Sequence, residues 1–201
     1  MSDTTPLTIH YQETGFTIAW HQDRQVLHDR VYQILLNGRN VPQDEKTRSF
    51  VFDPMVLDAE NRLGLVIARA TEFHEPIQAD NKTLVVRTGQ QHTIKLSLSA
   101  NRRRTQTVGD RKIQRYEAVA QDDLIPWATE LLQRHGMQVV ALDCQSLTST
   151  PVHKAQGAFG IASARIQAHI TVTDTTAFAR AFLHGIGRQK GYGFGLMEVL
   201  A

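Results

Sequence analysis

Between Thr8 and Trp20 the chain alternates, with Phe16, Ile18 and Trp20 on one side, and this period of two predicts a strand. The period changes after Asp23. Leu27, Val31, Ile34 and Leu35 fall at i, i+4, i+7 and i+8, one stripe of a helix that Asp23 would cap and Asn37-Gly38 would end. Arg48–Phe52 and Arg62–Arg69 read as two further strands joined by a turn-rich connection, Asp53–Asn61, and Leu84–Arg87 as a short fourth. The apolar pattern lapses over Thr88–Gln91 and then restarts, which divides the chain into 1–90 and 91–201.

In the second part Thr93–Leu98 alternates through Ile94, Leu96 and Leu98, and a polar, basic stretch follows. Asp122 or Asp123 is the predicted cap of a helix running to His135, with Leu124, Trp127, Leu131 and Leu132 as its core face. Gln138–Cys144 and Arg165–Thr173 read as strands, Thr175–His184 as a helix capped by Asp174, and Phe194–Leu200 as a last strand. Helices and strands interleave without the regular alternation of a parallel sheet. The order predicts an α+β fold of two domains with antiparallel sheets, of the ferredoxin-like kind.

Composition narrows the function classes only a little. The 201 residues are 41% hydrophobic and 21% charged, as in an ordinary folded domain. A formal net charge of +2 is mildly basic, so any case for nucleic acid rests on where the charges lie. The single cysteine, Cys144, excludes an intramolecular disulfide framework and reads as a small buried hydrophobe. The first residues carry no basic and apolar leader, and no stretch approaches the roughly 18 apolar residues of a membrane span, so the expectation is a cytoplasmic protein without membrane contact.

Three features carry candidate chemistry. Five of the thirteen glycines lie in Gly185–Gly195, where Gly187, Arg188 and Lys190 make a loop suited to approaching phosphate. It lacks the Gly-Lys-Ser or Gly-Lys-Thr of a phosphate-binding loop, and only one strand follows it, so it opens no dinucleotide-binding unit. A tight turn with no ligand is its plain alternative. His28 lies beside the stripe of the first helix, with Arg24 and Tyr32 one turn to either side. Such a histidine either packs or works as an acid or base near neutral pH. The nine histidines are scattered without zinc spacing, so no metal site is predicted. Third, Arg102, Arg103, Arg104, Arg111, Lys112 and Arg115 face a single carboxylate, Asp110, within their stretch. They form either a solvated surface or an arginine-rich phosphate contact.

Taken together, Val26-Leu27-His28, Ser49–Asp53, Leu98-Ser99-Ala100-Asn101 and above all Gly185-Ile186-Gly187-Arg188-Gln189-Lys190 with Gly193-Phe194-Gly195-Leu196 resemble the CasE family. These are the CRISPR-associated endoribonucleases that process precursor CRISPR RNA in type I-E systems. The resemblance implies tandem ferredoxin-like, RRM-like domains that bind the hairpin of the CRISPR repeat RNA. It implies cleavage at the stem base without metal or small-molecule cofactor, and retention of the product among the other Cascade subunits. His28 matches the catalytic histidine. Gln25 stands where family members often carry a tyrosine; as a catalytic-site candidate it can still hydrogen-bond a phosphate or ribose oxygen, and Tyr32 is a candidate for the missing phenol. The implied reaction is attack by a ribose 2′-hydroxyl, giving a 2′,3′-cyclic phosphate and a 5′-hydroxyl. Arg24 or Lys190 would stabilise the phosphorane, while the Arg102–Arg115 stretch and Lys154 would contact the stem. Two alternatives stay open: an RNA-hairpin-binding subunit without catalysis, and a small-molecule or nucleotide phosphate-binding protein.

Overall fold

The structure, a computed structural model, describes residues 5–36, 49–108, 111–155 and 157–200; for 103–108, 111–115 and 146–147 it describes the backbone alone. The Asn37-Gly38 helix end therefore falls outside the described residues.

Strand β1 (Leu7–Ala19), helix α1 (Arg24–Leu36) and strands β2 (Phe50–Asp58), β3 (Leu63–Ala70) and β4 (Asp80–Val86) make the first unit. Its sheet has the order β2-β3-β1-β4 with antiparallel neighbours throughout. Leu27, Val31 and Leu35 bury the inner ridge of α1 against Ile18, Phe50, Phe52, Val66 and Ala68. Ile34, expected on that ridge, is 40% exposed, because it lies some 60° round the helix from the centre of the buried stripe.

Strand β2 runs on through Pro54 to Asp58, so most of the expected Asp53–Asn61 connection is strand. Proline lacks an N–H for the ladder, but β2 is an edge strand that, among the described residues, pairs with β3 alone.

The second unit contains β5 (Gln91–Ser99), a hairpin of β6 (Asn101–Val108) and β7 (Arg111–Ala118), α2 (Leu124–Gln133), β8 (Met137–Lys154), β9 (Gly157–Val172), α3 (Thr175–His184) and β10 (Met197–Leu200). Its main sheet is ordered β10-β5-β9-β8. In both sheets the fourth strand therefore flanks the first, and the third lies between first and second: two ferredoxin-like units in tandem. The first unit lacks the second helix, since 71–79 connects β3 to β4 without one.

Two expectations about the second unit change. The strands expected at Gln138–Cys144 and Arg165–Thr173 are the inner ends of one hairpin whose strands hold 18 and 16 residues. Its outer part is rich in serine and threonine and lacks the apolar alternation that marks a half-buried strand. The Asp123 side chain makes no cap for α2, but pairs with Arg102 at 3.1 Å. Asp174 does cap α3, accepting the Ala177 N–H at 2.9 Å.

Arg69 of β3 ties the two units together. Its guanidinium donates to the carbonyl oxygens of Phe182 (3.3 Å) and Met197 (2.8 Å), pairs with Glu13 at 2.8 Å, and lies 3.7 Å from the Phe182 ring centroid. Among the described residues no helix is long and apolar enough to cross a membrane.

Candidate active site

Three segments distant in sequence meet at the first turns of α1. The helix starts where the Asp23 carboxylate accepts the Gln25 N–H at 2.9 Å. The same carboxylate accepts the His153 N–H at 3.2 Å and the His153 imidazole at 3.0 Å, so one aspartate both caps α1 and anchors the outer end of β8. Burial works to raise the Asp23 carboxyl, but the hydrogen bonds from Gln25 and His153 outweigh it and hold the group below the usual carboxylate range. Lys154, the next residue, is thereby brought beside the glycine run.

The glycine run is a folded turn. Gln189 adopts φ 58°, a single 3₁₀ turn follows over Lys190–Tyr192, and Gly193 at φ 80° closes it. A Cβ on Gly193 would lie 2.2 Å from Pro54 Cδ, and one on Gly195 would lie 2.2 Å from the Ile186 carbonyl oxygen. The N–H groups of Ile186, Tyr192, Gly193 and Gly195 all donate within the protein, to Gly195, Gln189, Lys190 and Ser97 respectively. These glycines are therefore needed for close approach of protein to protein, where the sequence pointed to phosphate. Tyr192 and Phe194 pack with Val152 and Ile161 in a small apolar cluster that docks the β8–β9 hairpin onto the turn.

His28 faces this turn. Its Nδ1 lies 2.5 Å from the Gly191 carbonyl oxygen, which can only accept, so Nδ1 carries the proton and Nε2 is the nitrogen that gains or gives one. The imidazole centroid lies 4.0 Å from the Tyr32 ring and 5.5 Å from Tyr192. Tyr32 is wedged between Phe50 and Phe52, at centroid distances of 5.0 and 6.4 Å, and serves as the floor under the imidazole.

Gln25 sits one turn before His28. Its amide nitrogen donates to Asp29 at 2.8 Å, and its oxygen accepts the Tyr192 hydroxyl at 3.2 Å. The Lys154 ammonium lies 5.6 Å from the Tyr192 centroid and 5.9 Å from that of Phe159. Around the phenol of Tyr192 thus gather an imidazole of fixed tautomer, an amide and an exposed cation, from His28, Gln25 and Lys154.

The other candidates lie elsewhere. The Arg24 guanidinium packs over Trp20 and Phe194, at 5.7 and 5.3 Å, in a cleft it shares with Asp53 and Arg165. Burial raises the Asp53 carboxyl to about 6, against the opposing pull of Arg165 and Arg24. Lys190 donates to the carbonyl oxygens of His184 (2.8 Å) and Gly185 (3.3 Å), and so caps the C-terminus of α3. Arg24 is thus set among Trp20, Phe194 and Asp53, and Lys190 is engaged at the end of α3.

Arg188 lies 5.5 Å from the Tyr116 ring at the base of the β6–β7 hairpin. Gly187, at φ 80°, borders Leu98 and Leu131. Arg102 stands at the start of that hairpin; Arg103, Arg104, Arg111, Lys112 and Arg115 lie along it, with backbone alone described. A groove of about 1000 Å³ opens beside it, lined by Arg134, His135, Arg180, His184, Arg188 and Lys190 among others. Burial pushes His135 and His184 below the usual imidazole range, and the charges of Lys190 and Arg180 push the same way. Asp174 is the carboxylate lining this groove, and it is engaged in capping α3.

Tyr192 was missed by sequence reasoning because an aromatic between two glycines reads as packing. The approach of Lys154 to Tyr192 depends on the β8–β9 hairpin, whose outer half the sequence pattern did not reveal.

Fold and site together define a tandem ferredoxin-like protein with a histidine-centred cluster beside an electropositive groove. Residues 10–200 match the family model of CRISPR associated protein, and the chain belongs to that family. Among solved structures, a CRISPR endoribonuclease Cse3 bound to a 19-nucleotide RNA is similar at TM-score 0.69 and 12% identity, over 96% of this chain and 100% of that one. The CRISPR-associated protein Cas6e from Escherichia coli str. K-12 is similar at TM-score 0.65 and 16% identity, over 95% and 98% of the two chains. A chain of a CRISPR RNA-guided surveillance complex is similar at TM-score 0.60 and 15% identity, over 94% and 98%. No curated protein sequence matches this chain. At these identities the structural likeness establishes the fold, and with the family model it bears out the resemblance drawn from the glycine run.

Proposed function

We propose that this protein is an endoribonuclease that binds the hairpin of a CRISPR repeat RNA and cuts at the base of its stem. The observation that carries this reading is the His28–Gly191 hydrogen bond, which fixes the imidazole tautomer beside the ring of Tyr192, a ring that the Lys154 ammonium also approaches. That the similar Cse3 structure is an endoribonuclease holding RNA supports it.

The nucleophile is the ribose 2′-hydroxyl next to the scissile phosphate. Its oxygen attacks phosphorus, the bond to the 5′-oxygen breaks, and the products are a 2′,3′-cyclic phosphate and a 5′-hydroxyl. His28 Nε2 either takes the 2′-proton or supplies a proton to the departing 5′-oxygen, catalysis worth roughly 10²–10⁴-fold. Lys154, in place of Arg24 or Lys190, supplies positive charge to the phosphorane.

The stem lies along the β6–β7 hairpin and the groove beneath it. Duplex RNA is read mainly through shape and backbone, which suits an arginine-rich ribbon beside Arg134, Arg180 and Arg188. The protein then keeps its product as a subunit of an RNA-guided surveillance complex, a reading supported by the similar chain in such an assembly.

Incubation with a repeat hairpin in EDTA tests this. The expected products carry a cyclic phosphate and a 5′-hydroxyl, and His28→Ala abolishes them. Cleavage of a substrate with a single 2′-deoxy substitution before the scissile phosphate would sink the route. Binding without any cleavage would instead mark a non-catalytic hairpin-binding subunit.

A further inference from the structure

The phenol of Tyr192 sits in the cluster with a hydroxyl whose direction is set by the protein. Its oxygen lies 3.2 Å from Gln25 Oε1, and Gln25 cannot turn freely because its amide nitrogen is held by Asp29 at 2.8 Å. The amide orientation follows from these two partners: the nitrogen faces the acceptor-only carboxylate, so the oxygen faces the phenol, which donates. The ring itself is gripped by an edge contact with Phe159 at 6.3 Å and 79°, and by the small cluster around Val152, Ile161 and Phe194.

Two groups needed for phosphoryl transfer are positioned by adjacent residues of one turn. Gly191 fixes the imidazole through its carbonyl oxygen, and Tyr192 presents a phenol next to it. Tyr192 is half-buried, and the exposed Lys154 ammonium approaches the same ring. The imidazole, 5.5 Å away, and the ammonium, 5.6 Å away, thus both border the Tyr192 ring.

We infer that Tyr192 is a further catalytic residue, whose hydroxyl donates a hydrogen bond to a non-bridging oxygen of the scissile phosphate. Gln25 is its positioning residue. Before RNA binds, Gln25 Oε1 holds the hydroxyl in place; when the phosphate enters, the phenol turns its O–H from the amide oxygen to the phosphate oxygen. No proton is transferred in this step. The bond strengthens as charge gathers on the phosphorane, so it lowers the barrier more than it tightens binding. Gln25 and Tyr192 together supply one phenolic donor: the amide sets its position, and the glycine turn carries it.

This rests on the endoribonuclease reading, and one set of measurements separates the two. Single-turnover cleavage and hairpin affinity are compared for wild type, Tyr192→Phe, Gln25→Met and the double variant. Phenylalanine keeps the ring and loses only the hydroxyl, so the rate should fall about 10- to 100-fold, the worth of one hydrogen bond to a charged oxygen, with affinity unchanged. Gln25→Met should fall less, about 3- to 10-fold, and should add nothing in the Tyr192→Phe background, as expected of a residue acting through another.

A phosphorothioate at the scissile position gives a readout that a packing role would not move. One diastereomer should slow wild type more than it slows Tyr192→Phe. Wild-type cleavage with Tyr192→Phe within about twofold of it, or equal sulfur effects in both proteins for both diastereomers, overturns the inference and leaves the nuclease reading standing. A wild-type protein that cleaves no hairpin overturns both.

Discussion

His28 and Gly191 stand 163 positions apart, and a 2.5 Å hydrogen bond from Nδ1 to the glycine carbonyl oxygen joins them. The bond gives the glycine run a purpose other than meeting phosphate: it presents a main-chain acceptor that orients a histidine. It also decides which imidazole nitrogen can work.

The most direct consequence concerns that nitrogen. His28→Ala is expected to lower single-turnover cleavage at least 10²-fold while leaving hairpin affinity close to wild type, because the imidazole moves protons and the stem is held elsewhere. Equal losses in rate and affinity would show instead that His28 is a binding residue.

Lys154 is expected to act on rate more than on affinity. Lys154→Gln removes one ammonium next to the phosphorane and should slow cleavage about 10- to 100-fold. Asp23→Asn should mimic it in part, since the Asp23–His153 contacts hold the lysine's strand end in place. A Lys154→Gln protein that cleaves at the wild-type rate would remove this residue from the mechanism.

The glycines should differ in their tolerance of a side chain. Gly193→Ala sets a Cβ 2.2 Å from Pro54 at φ 80°, whereas at Gly187, also φ 80°, the nearest atom is 3.6 Å away. Thermal unfolding should therefore show a loss of about 1–2 kcal/mol for Gly187→Ala, from backbone strain alone, and a clearly larger one for Gly193→Ala. Gly193→Ala should also slow cleavage, because the turn it closes carries Gly191 and Tyr192.

Stability should bear the mark of Asp53. A carboxyl raised to about 6 keeps its proton in the folded chain after the unfolded chain has released it, so stability falls as pH rises from about 4 through 6. The cost across two pH units is on the order of 3 kcal/mol. In Asp53→Asn that slope should vanish from unfolding curves collected over the same window, whatever the variant's absolute stability. An unchanged slope would mean that Asp53 is ionised throughout.

Hairpin affinity should fall steeply with salt. Arg180→Ala and Arg188→Ala are each expected to reduce the slope of log affinity against log salt by about one, without changing which hairpin is preferred. Filter binding between low and physiological salt measures this, and a flat response would exclude the groove as an RNA surface.

Much of the fold was legible from the chain alone. Period-two and period-3.6 patterns marked β1, α1, β3, β5, α2 and α3, because each has one face in a core and the other in water. The outer β8–β9 hairpin and the β6–β7 hairpin were not legible as strands. Their ladders are held by backbone pairing, and their sequences are rich in polar and basic residues, so no apolar rhythm records them. His28 was legible as a candidate from its helix, and the glycine run from its density and spelling.

Sequence by itself determined that a histidine on the first helix and a glycine-rich turn near the last strand belong to a two-unit α+β protein. Tertiary structure decided their partners. It set Arg24 in the cleft with Asp53 and Lys190 at the end of α3, while it brought Tyr192 to the imidazole and Lys154 to Tyr192. The reason is physical: helical periodicity relates 25 to 28, but no local pattern relates that pair to 154 or 192. Only the docking of the β8–β9 hairpin and the glycine turn onto α1 puts them within reach of one another.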